Sequence, residues 1–265
     1  MHPEPSAAVI RGLHKNYETT LAVRGIDFEA RPGDIIGLVG PNGAGKTTTM
    51  RCIAGIISPT HGRIEVAGHD VIAEPVKAKS CLAYVPDDPK LFDALTVWEH
   101  LSFVGSAYRV HDWQAKAEAL LTRFQLTEKR KALAGELSRG MRQKVAIVCA
   151  YLHAPKFVML DEPLTGLDPR GIREMKDSIR ELAQAGAAFL ISSHLLALVE
   201  DLCTSLLIVV KGKQLFFGPM SQAREAFGTE GTGASLEEVF FRATEGAEIA
   251  PAGAPQGAPG PGAGA

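Results

Sequence analysis

The chain has 265 residues, of which 46% are hydrophobic, so it can bury the core of one large domain or of one domain with a lobe. Its 28 basic and 30 acidic residues nearly cancel, which argues against a surface built for nucleic acid or anionic lipid. The cysteines stand singly, without CxxC spacing, and this pattern indicates free thiols in a reducing compartment rather than disulfides or a zinc site (Cys52, Cys81, Cys149, Cys203).

The sequence predicts neither a membrane span nor a secretory signal. No apolar run approaches the roughly 20 residues that a membrane helix needs. The first ten residues, MHPEPSAAVI, carry an acid and prolines where a signal peptide has a basic flank and an apolar stretch. We therefore expect a globular chain that stays in the cytoplasm.

The first third of the chain has β-type patterns that frame a glycine-rich segment. Residues 8–30 predict β-structure, and the polar residues 31–34 have the composition of a turn. IIGLVG at 35–40 predicts a short buried strand, and a helix is expected from Lys46 onward. RIEVAGHDV at 63–71 alternates like a strand or a hairpin.

The middle of the chain predicts an inserted helical lobe at approximately 88–155. Apolar residues three and four apart indicate two helices within 97–126, and a third helix is expected to begin near Ser138. The strands 157–161 and 187–193, with a helix at 170–184 between them and a short helix after them, restore the alternation of a parallel α/β sheet.

The end of the chain predicts a hairpin, a closing helix and a tail. The hairpin at 206–218 is expected to turn at Lys211–Gly212, and the helix at 235–244 to be amphipathic. Of the last 20 residues, 17 are Ala, Gly or Pro, which is too little apolar bulk to offset the entropy of ordering. We expect one domain over 1–243 and a disordered tail over 244–265.

The segment GPNGAGKTT at 40–48 matches the phosphate-loop pattern G-x-x-x-x-G-K-[ST]. Glycines there let backbone N–H groups approach phosphate oxygens, the lysine is expected to bridge the β- and γ-phosphates, and the threonine that follows it to ligate Mg²⁺. The loop lies between a predicted buried strand and a predicted helix, which is the context that the pattern requires. The predicted nucleotide-binding residues are Gly40, Pro41, Asn42, Gly43, Ala44, Gly45, Lys46, Thr47 and Thr48.

Two acids end the apolar run FVMLDE at 157–162. Four apolar residues place this strand in the centre of the sheet, so its carboxyl end should lie beside the phosphate loop. Asp161 is predicted to hold Mg²⁺ through water, and Glu162 to polarise the water that attacks the γ-phosphate.

The segment LSRGMRQK at 137–144 has the composition of a helix N-terminus, with Ser138 as the cap and Gly140 allowing close approach. It lies 23 residues before Asp161. Taken together, the phosphate loop, this segment and FVMLDE resemble the ATP-binding subunit of ABC transporters, of the exporter type, over residues 7–243. This resemblance implies a P-loop NTPase parallel sheet core with an N-terminal antiparallel β subdomain and an inserted α-helical lobe.

The resemblance also implies the roles of several residues. Ser138 and Gly140 stand at positions of the LSGGQ signature that touch the γ-phosphate of ATP held by a second copy, while Arg139 and Met141 depart from it. Tyr17 resembles the aromatic residue that stacks on adenine, and Asp168 in LTGLDP resembles the residue carried to the dimer interface.

Two further positions match segments of the family. His194 in ISSHLL resembles the switch histidine that contacts the γ-phosphate. Asp87 in YVPDDP stands where the family usually has a glutamine that senses Mg²⁺, and it is expected to reach the metal as a shorter, charged ligand.

The resemblance implies an ATPase that uses ATP with Mg²⁺. Two copies are expected to dimerise around ATP and to power a membrane transporter on a separate chain. The partner is expected to dock near residues 86–110 and to attach the subunit to the cytoplasmic face of the membrane. Two alternatives stay open: a soluble ABC ATPase acting on the ribosome or on DNA, and a regulatory subunit with weak turnover.

Overall fold

The computed structural model describes residues 5–227, 236–238 and 240–242. The predicted tail at 244–265 lies outside these residues. Of the predicted closing helix at 235–244, residues 236–238 and 240–242 are described and are helical.

The N-terminal part forms an antiparallel sheet of four strands, in the order β2-β1-β4-β5. Residues with alternating apolar character pair along β1 and β2, as the pattern of residues 8–30 predicts. The strands are β1 Ala8–Tyr17, β2 Thr20–Ala30, β4 His61–Val66 and β5 His69–Asp70.

A second sheet of six strands runs in the order β10-β9-β3-β8-β7-β6. All its neighbours are parallel except β10, which pairs antiparallel with β9 in the predicted hairpin. Every residue of β3, β7 and β8 is buried, which explains their uninterrupted apolar runs. The strands are β3 Ile35–Val39, β6 Leu82–Val85, β7 Phe157–Asp161, β8 Ala188–Ser192, β9 Ser205–Val210 and β10 Lys213–Pro219.

The helices cover the second sheet and build the lobe. The lobe consists of α3 Val97–Ala107, α4 Trp113–Arg123 and α5 Arg139–Leu152, which pack against one another. The other helices are α1 Lys46–Ile53, α2 Pro75–Ser80, α6 Pro169–Gln184, α7 Leu196–Leu202 and α8 Met220–Phe227. The α/β class and the two-sheet arrangement predicted from the sequence are confirmed.

Among the α-helices and strands of the described residues, α2, β6 and α8 were not predicted. The segments α2 and β6 have six and four residues, which is too short for a periodic pattern. Residues Leu82–Val85 nevertheless form an edge of the parallel sheet, beside Phe157–Leu160. This placement carries the loop that follows β6, including Asp87, to the same edge of the sheet as the carboxyl end of β7.

Candidate functional site

A cavity of about 480 Å³ lies at the carboxyl ends of β3 and β7. It brings the phosphate loop together with the predicted acids at 161, 162 and 87, which come from three separate parts of the chain. The lining residues are Thr20, Leu21, Ala22, Arg24, Asn42, Gly43, Ala44, Gly45, Lys46, Thr47, Thr48, Asp87, Asp161, Glu162, Lys211 and Gly212.

The glycines of the phosphate loop are required by the space around them. A Cβ on Gly40 would lie 2.1 Å from the carbonyl oxygen of Val209, and one on Gly45 would lie 2.4 Å from that of Ala22. Gly45 also has φ of +99° and caps α1 without a side chain. The first N–H groups of α1 therefore face the cavity without a competing acceptor from the capping residue.

Lys46 is the cation at the centre of this loop. Its Nζ donates to the carbonyl oxygen of Gly40 at 2.7 Å and to that of Pro41 at 3.3 Å. Burial lowers the pKa of this ammonium group, and the charges of Glu162 and Asp161 oppose that effect. An anionic ligand would relieve the cost of burying the charge.

Asp161 is a buried carboxylate held by hydroxyl groups. Thr47 Oγ1 donates to its Oδ2 at 2.9 Å, and Ser192 Oγ donates to its Oδ1 in a short contact. The Tyr84 hydroxyl also donates to Asp161 Oδ2, at 3.4 Å. Burial raises the pKa of this hydroxyl to about 12. Sequence reasoning missed Ser192 and Tyr84, although Ser192 stands two residues before the predicted His194.

Glu162 has a strained backbone, with φ of +49° in the left-handed region. Its N–H donates to the carbonyl oxygen of Ser192 at 3.0 Å, and this bond ties the turn after β7 to the end of β8. The side chain is 18% exposed, whereas that of His194 is 62% exposed. His194 Nδ1 lies 2.8 Å from Glu162 Oε2, so the predicted base and the predicted switch histidine are in direct contact.

The hairpin turn between β9 and β10 forms another wall of the cavity. Lys211 and Gly212 have φ of +49° and +79°, as a tight hairpin requires. Gly212 N–H donates to the Ala44 carbonyl oxygen at 3.0 Å, and Arg24 N–H donates to the Gly212 carbonyl oxygen at 2.8 Å. The sequence predicted this turn but gave no sign that it holds the phosphate loop against β2.

Asp87, predicted to reach the metal, and Tyr17, predicted to stack on adenine, differ in whether they line the cavity. Asp87 lines it, and its Oδ1 accepts from Arg139 Nη2 at 3.0 Å. Tyr17 is not a lining residue. It lies half exposed at the end of β1, where Lys15 Nζ stands 5.2 Å from the centre of its ring. Tyr17 pairs across the β1–β2 turn with Thr20, which does line the cavity, so adenine stacking by Tyr17 stays a prediction.

The residues predicted to contact a second copy do not line this cavity, and two of them, Ser138 and Asp168, are helix caps. Ser138 Oγ accepts from the Met141 N–H at 3.3 Å at the start of α5, as the sequence predicts. Asp168 Oδ1 accepts from the Gly171 N–H at 2.9 Å at the start of α6. A Cβ on Gly140 would lie 2.6 Å from the Gly166 carbonyl oxygen, so this glycine lets α5 press against the loop after β7.

Another cavity, of about 390 Å³, lies at the opposite end of the parallel strands. Its lining is mainly apolar and includes Pro32, Tyr151, Leu182 and Ala187. No carboxylate or histidine lines it, and its ionisable side chains are those of Tyr151 and Lys156. Residues 42–48 of the phosphate loop line the first cavity, and none of them lines this one.

The chain is similar to ATP-binding proteins of ABC transporters. The family described as "ABC transporter" matches residues 23–165. The ABC-type transporter ATP-binding protein EcsA of Bacillus subtilis (strain 168) is 34% identical over 238 residues, which cover 89% of this chain and 96% of EcsA. The linearmycin resistance ATP-binding protein LnrL of the same organism is 34% identical over 208 residues, which cover 78% of this chain and 67% of LnrL.

A solved structure described as the ATP binding subunit of an ABC transporter has the same fold. It matches with a TM-score of 0.86 at 33% identity and covers 90% of this chain and 100% of its own. Among the helices that the structure describes, none is long and apolar enough to cross a membrane. ATP-binding subunits of this family hydrolyse ATP and work with the membrane components of the transporter. The chain therefore belongs to the ABC transporter family, as an ATP-binding and ATP-hydrolysing subunit that powers transport.

Proposed function

We propose that two copies of this chain close around two ATP molecules and drive a membrane exporter on a separate chain. The observation that carries the proposal is the 2.8 Å contact of His194 with Glu162, which lines the cavity together with Lys46 and Asp161. A carboxylate, an imidazole and an ammonium group at one phosphate site form a set suited to phosphoryl transfer to water.

Glu162 is the proposed general base. Its backbone is held at the end of β7 by the bond between its N–H and the Ser192 carbonyl oxygen, and its carboxylate, which contacts His194, is proposed to accept a proton from water. His194 fixes one carboxylate oxygen and is proposed to contact the γ-phosphate. Lys46 is proposed to offset charge on the β- and γ-phosphates.

The residues around Asp161 fit a magnesium ion. Thr47 Oγ1 and Asp161 Oδ2 are 2.9 Å apart, and hydroxyl and carboxylate oxygens are ligands that Mg²⁺ prefers. Asp87 lines the same cavity and is proposed as a further oxygen ligand. When bound, the ion would neutralise phosphate charge, and phosphate oxygens and water would complete its coordination.

The dimer is supported by where the remaining predicted residues lie. Ser138 and Gly140 begin α5, a helix of 14 residues whose N-terminus carries a partial positive charge. They do not line the cavity of their own chain. We propose that they meet the γ-phosphate held by a second copy, with Asp168 close to the contact between the copies.

The membrane partner is proposed to dock on the lobe near residues 86–110. Phe92 and Phe103 there are 61% and 59% exposed, and their rings meet edge to face at 6.3 Å. Exposed aromatic pairs are typical of protein contacts. Export rather than import is supported by the resemblance of the sequence and by the printed name of LnrL, a resistance protein.

The test compares ATP hydrolysis and association of the full chain with those of Glu162→Gln, which keeps the shape of the side chain but cannot act as a base. Glu128→Gln is the matched control, because Glu128 is an exposed acid on the lobe. We expect Glu162→Gln to be inactive and to elute as a dimer in ATP and Mg²⁺, while the control keeps wild-type turnover. Active chains that stay monomeric in ATP would contradict the two-copy arrangement.

The partner is tested separately, by purifying the tagged chain from solubilised membranes of its own organism. The exporter proposal predicts that a protein with several membrane spans co-purifies. Recovery of ribosomes or DNA alone would favour the soluble alternative. Absence of turnover in the wild-type chain would favour the regulatory alternative.

A further inference from the structure

One ion pair joins the edge of the ATP cavity to the first residue of α5. Arg139 Nη2 lies 3.0 Å from Asp87 Oδ1, across a sequence separation of 52 residues. Both side chains are about half exposed. Asp87 and Arg139 are also two of the three positions at which the sequence departs from the family pattern, so the departures contact each other.

The charges around this pair are complementary. Asp88 neighbours Asp87, forms an ion pair with Lys90, and is attracted by the Arg139 and Arg142 guanidinium groups. Arg142 is itself anchored, because its Nη1 donates to the Leu137 carbonyl oxygen at 2.6 Å. Acids after β6 thus face basic groups at the start of α5.

The aliphatic part of the Arg139 side chain also has a neighbour in the structure. A Cβ on Gly166 would lie 3.5 Å from Arg139 Cδ, so the stem runs alongside the loop that follows β7. Gly140, the next residue, is pressed against the carbonyl oxygen of Gly166. The aliphatic part of Arg139 therefore lies beside the loop after β7, and its guanidinium group contacts Asp87.

The charges that line the cavity indicate that the ion pair between Asp87 and Arg139 affects ATP binding. The lining includes three carboxylates, of Asp87, Asp161 and Glu162, and three basic side chains, of Arg24, Lys46 and Lys211. Any carboxylate that is not neutralised therefore weakens the attraction of this cavity for the phosphates of ATP. Thr47 and Ser192 donate hydrogen bonds to Asp161, and His194 contacts Glu162, whereas the contact of Asp87 is with a full positive charge on the lobe.

We propose that Arg139 is a positioning residue of the ATP site in its own chain, where it neutralises the charge of Asp87 and so weakens the repulsion between that carboxylate and the phosphates. The inference about ATP binding does not require the proposed function. Only an effect of the pair on ATP hydrolysis would rest on it. The direct consequence of the inference is an ATP affinity that depends on the pair rather than on either residue alone.

The experiment measures binding of a fluorescent ATP analogue to the full chain in EDTA, where neither Mg²⁺ nor turnover contributes. The variants are Arg139→Gln, Asp87→Asn and the double variant. Arg123→Gln is the control, because Arg123 pairs with Glu181 at 2.6 Å and neither residue lines the cavity. Thermal unfolding of each variant shows whether the fold is intact.

We expect Arg139→Gln to weaken binding about fivefold, since an unpaired negative charge is left near the phosphates. The double variant should bind within about twofold of the wild type, because the charge left by the first change is gone. The loss in Arg139→Gln should shrink as salt is raised from about 0.05 M to about 1 M. The control should bind as the wild type does.

The proposal is overturned if Arg139→Gln binds as tightly as the wild type, or if the double variant binds as weakly as Arg139→Gln. These outcomes are read from binding in EDTA, so they do not depend on dimerisation or hydrolysis. A wild-type chain without ATPase activity would count against the proposed function and would leave the binding comparison interpretable.

Discussion

The left-handed backbone of Glu162 predicts that its position prefers glycine for stability. With φ of +49°, a residue with a Cβ pays about 1–2 kcal/mol, while glycine adds about 0.5–1 kcal/mol of backbone entropy to unfolding. Glu162→Gly should therefore be more stable than Glu162→Ala by about 0.5–1 kcal/mol, or about 2 °C in unfolding temperature. Both variants should lack ATPase activity.

The comparison of alanine with glycine removes the side chain in both variants, so the difference reports the backbone alone. The assay is thermal unfolding by calorimetry in EDTA. Ala119, exposed within α4, provides the matched pair, because Ala119→Gly should lose about 1 kcal/mol at an ordinary helical position. If Glu162→Ala proved as stable as Glu162→Gly, or more stable, the inferred strain would not exist.

Three further predictions follow from the site and its surroundings. Ser192→Ala should lower kcat/KM for ATP about tenfold, since it removes a hydrogen bond to the charged carboxylate of Asp161, and steady-state hydrolysis measures this. Gly212→Ala should raise the KM for ATP several-fold, because the added Cβ would lie 2.8 Å from the Ala22 carbonyl oxygen and displace the turn that contacts the phosphate loop. An unchanged KM would contradict a role of this turn in positioning the loop. Burial raises the pKa of the Cys203 thiol from 9.0 to about 12, so the folded chain keeps a proton that the unfolded chain releases. The free energy of unfolding should therefore fall by up to about 1.4 kcal/mol per pH unit above pH 9, and Cys203→Ala should remove that share of the slope in urea titrations.

The parts of the site that could be predicted are those encoded in short, continuous segments. The phosphate loop contains its own glycines and lysine, and FVMLDE shows both the buried strand and the acids at its end. The residues before each segment also predict the structure that the segment requires, which is a strand before the loop and a buried strand before the acids. The sequence therefore located the cavity through the ends of β3 and β7.

The parts that could not be predicted are contacts between distant segments. Ser192 and Asp161 are 31 residues apart, Tyr84 and Asp161 are 77 apart, and Asp87 and Arg139 are 52 apart. Periodicity describes one element at a time, so it carries no information on which strand ends meet. The order of β7 and β8 as neighbours in the sheet determines the first of these contacts.

The exposure of Glu162 and His194, the proposed base and switch histidine, gives a reason to expect that turnover depends on a second copy. Glu162 is 18% exposed and held by the end of β8, whereas His194 is 62% exposed and open to water. In water an imidazole is well solvated and interacts weakly with a nearby charge, whereas in a covered site the same contact is much stronger. The single chain therefore presents the proposed base, Glu162, beside an exposed histidine. A second copy laid across the mouth of the cavity would exclude water from His194, and we infer that hydrolysis accelerates when that surface is covered.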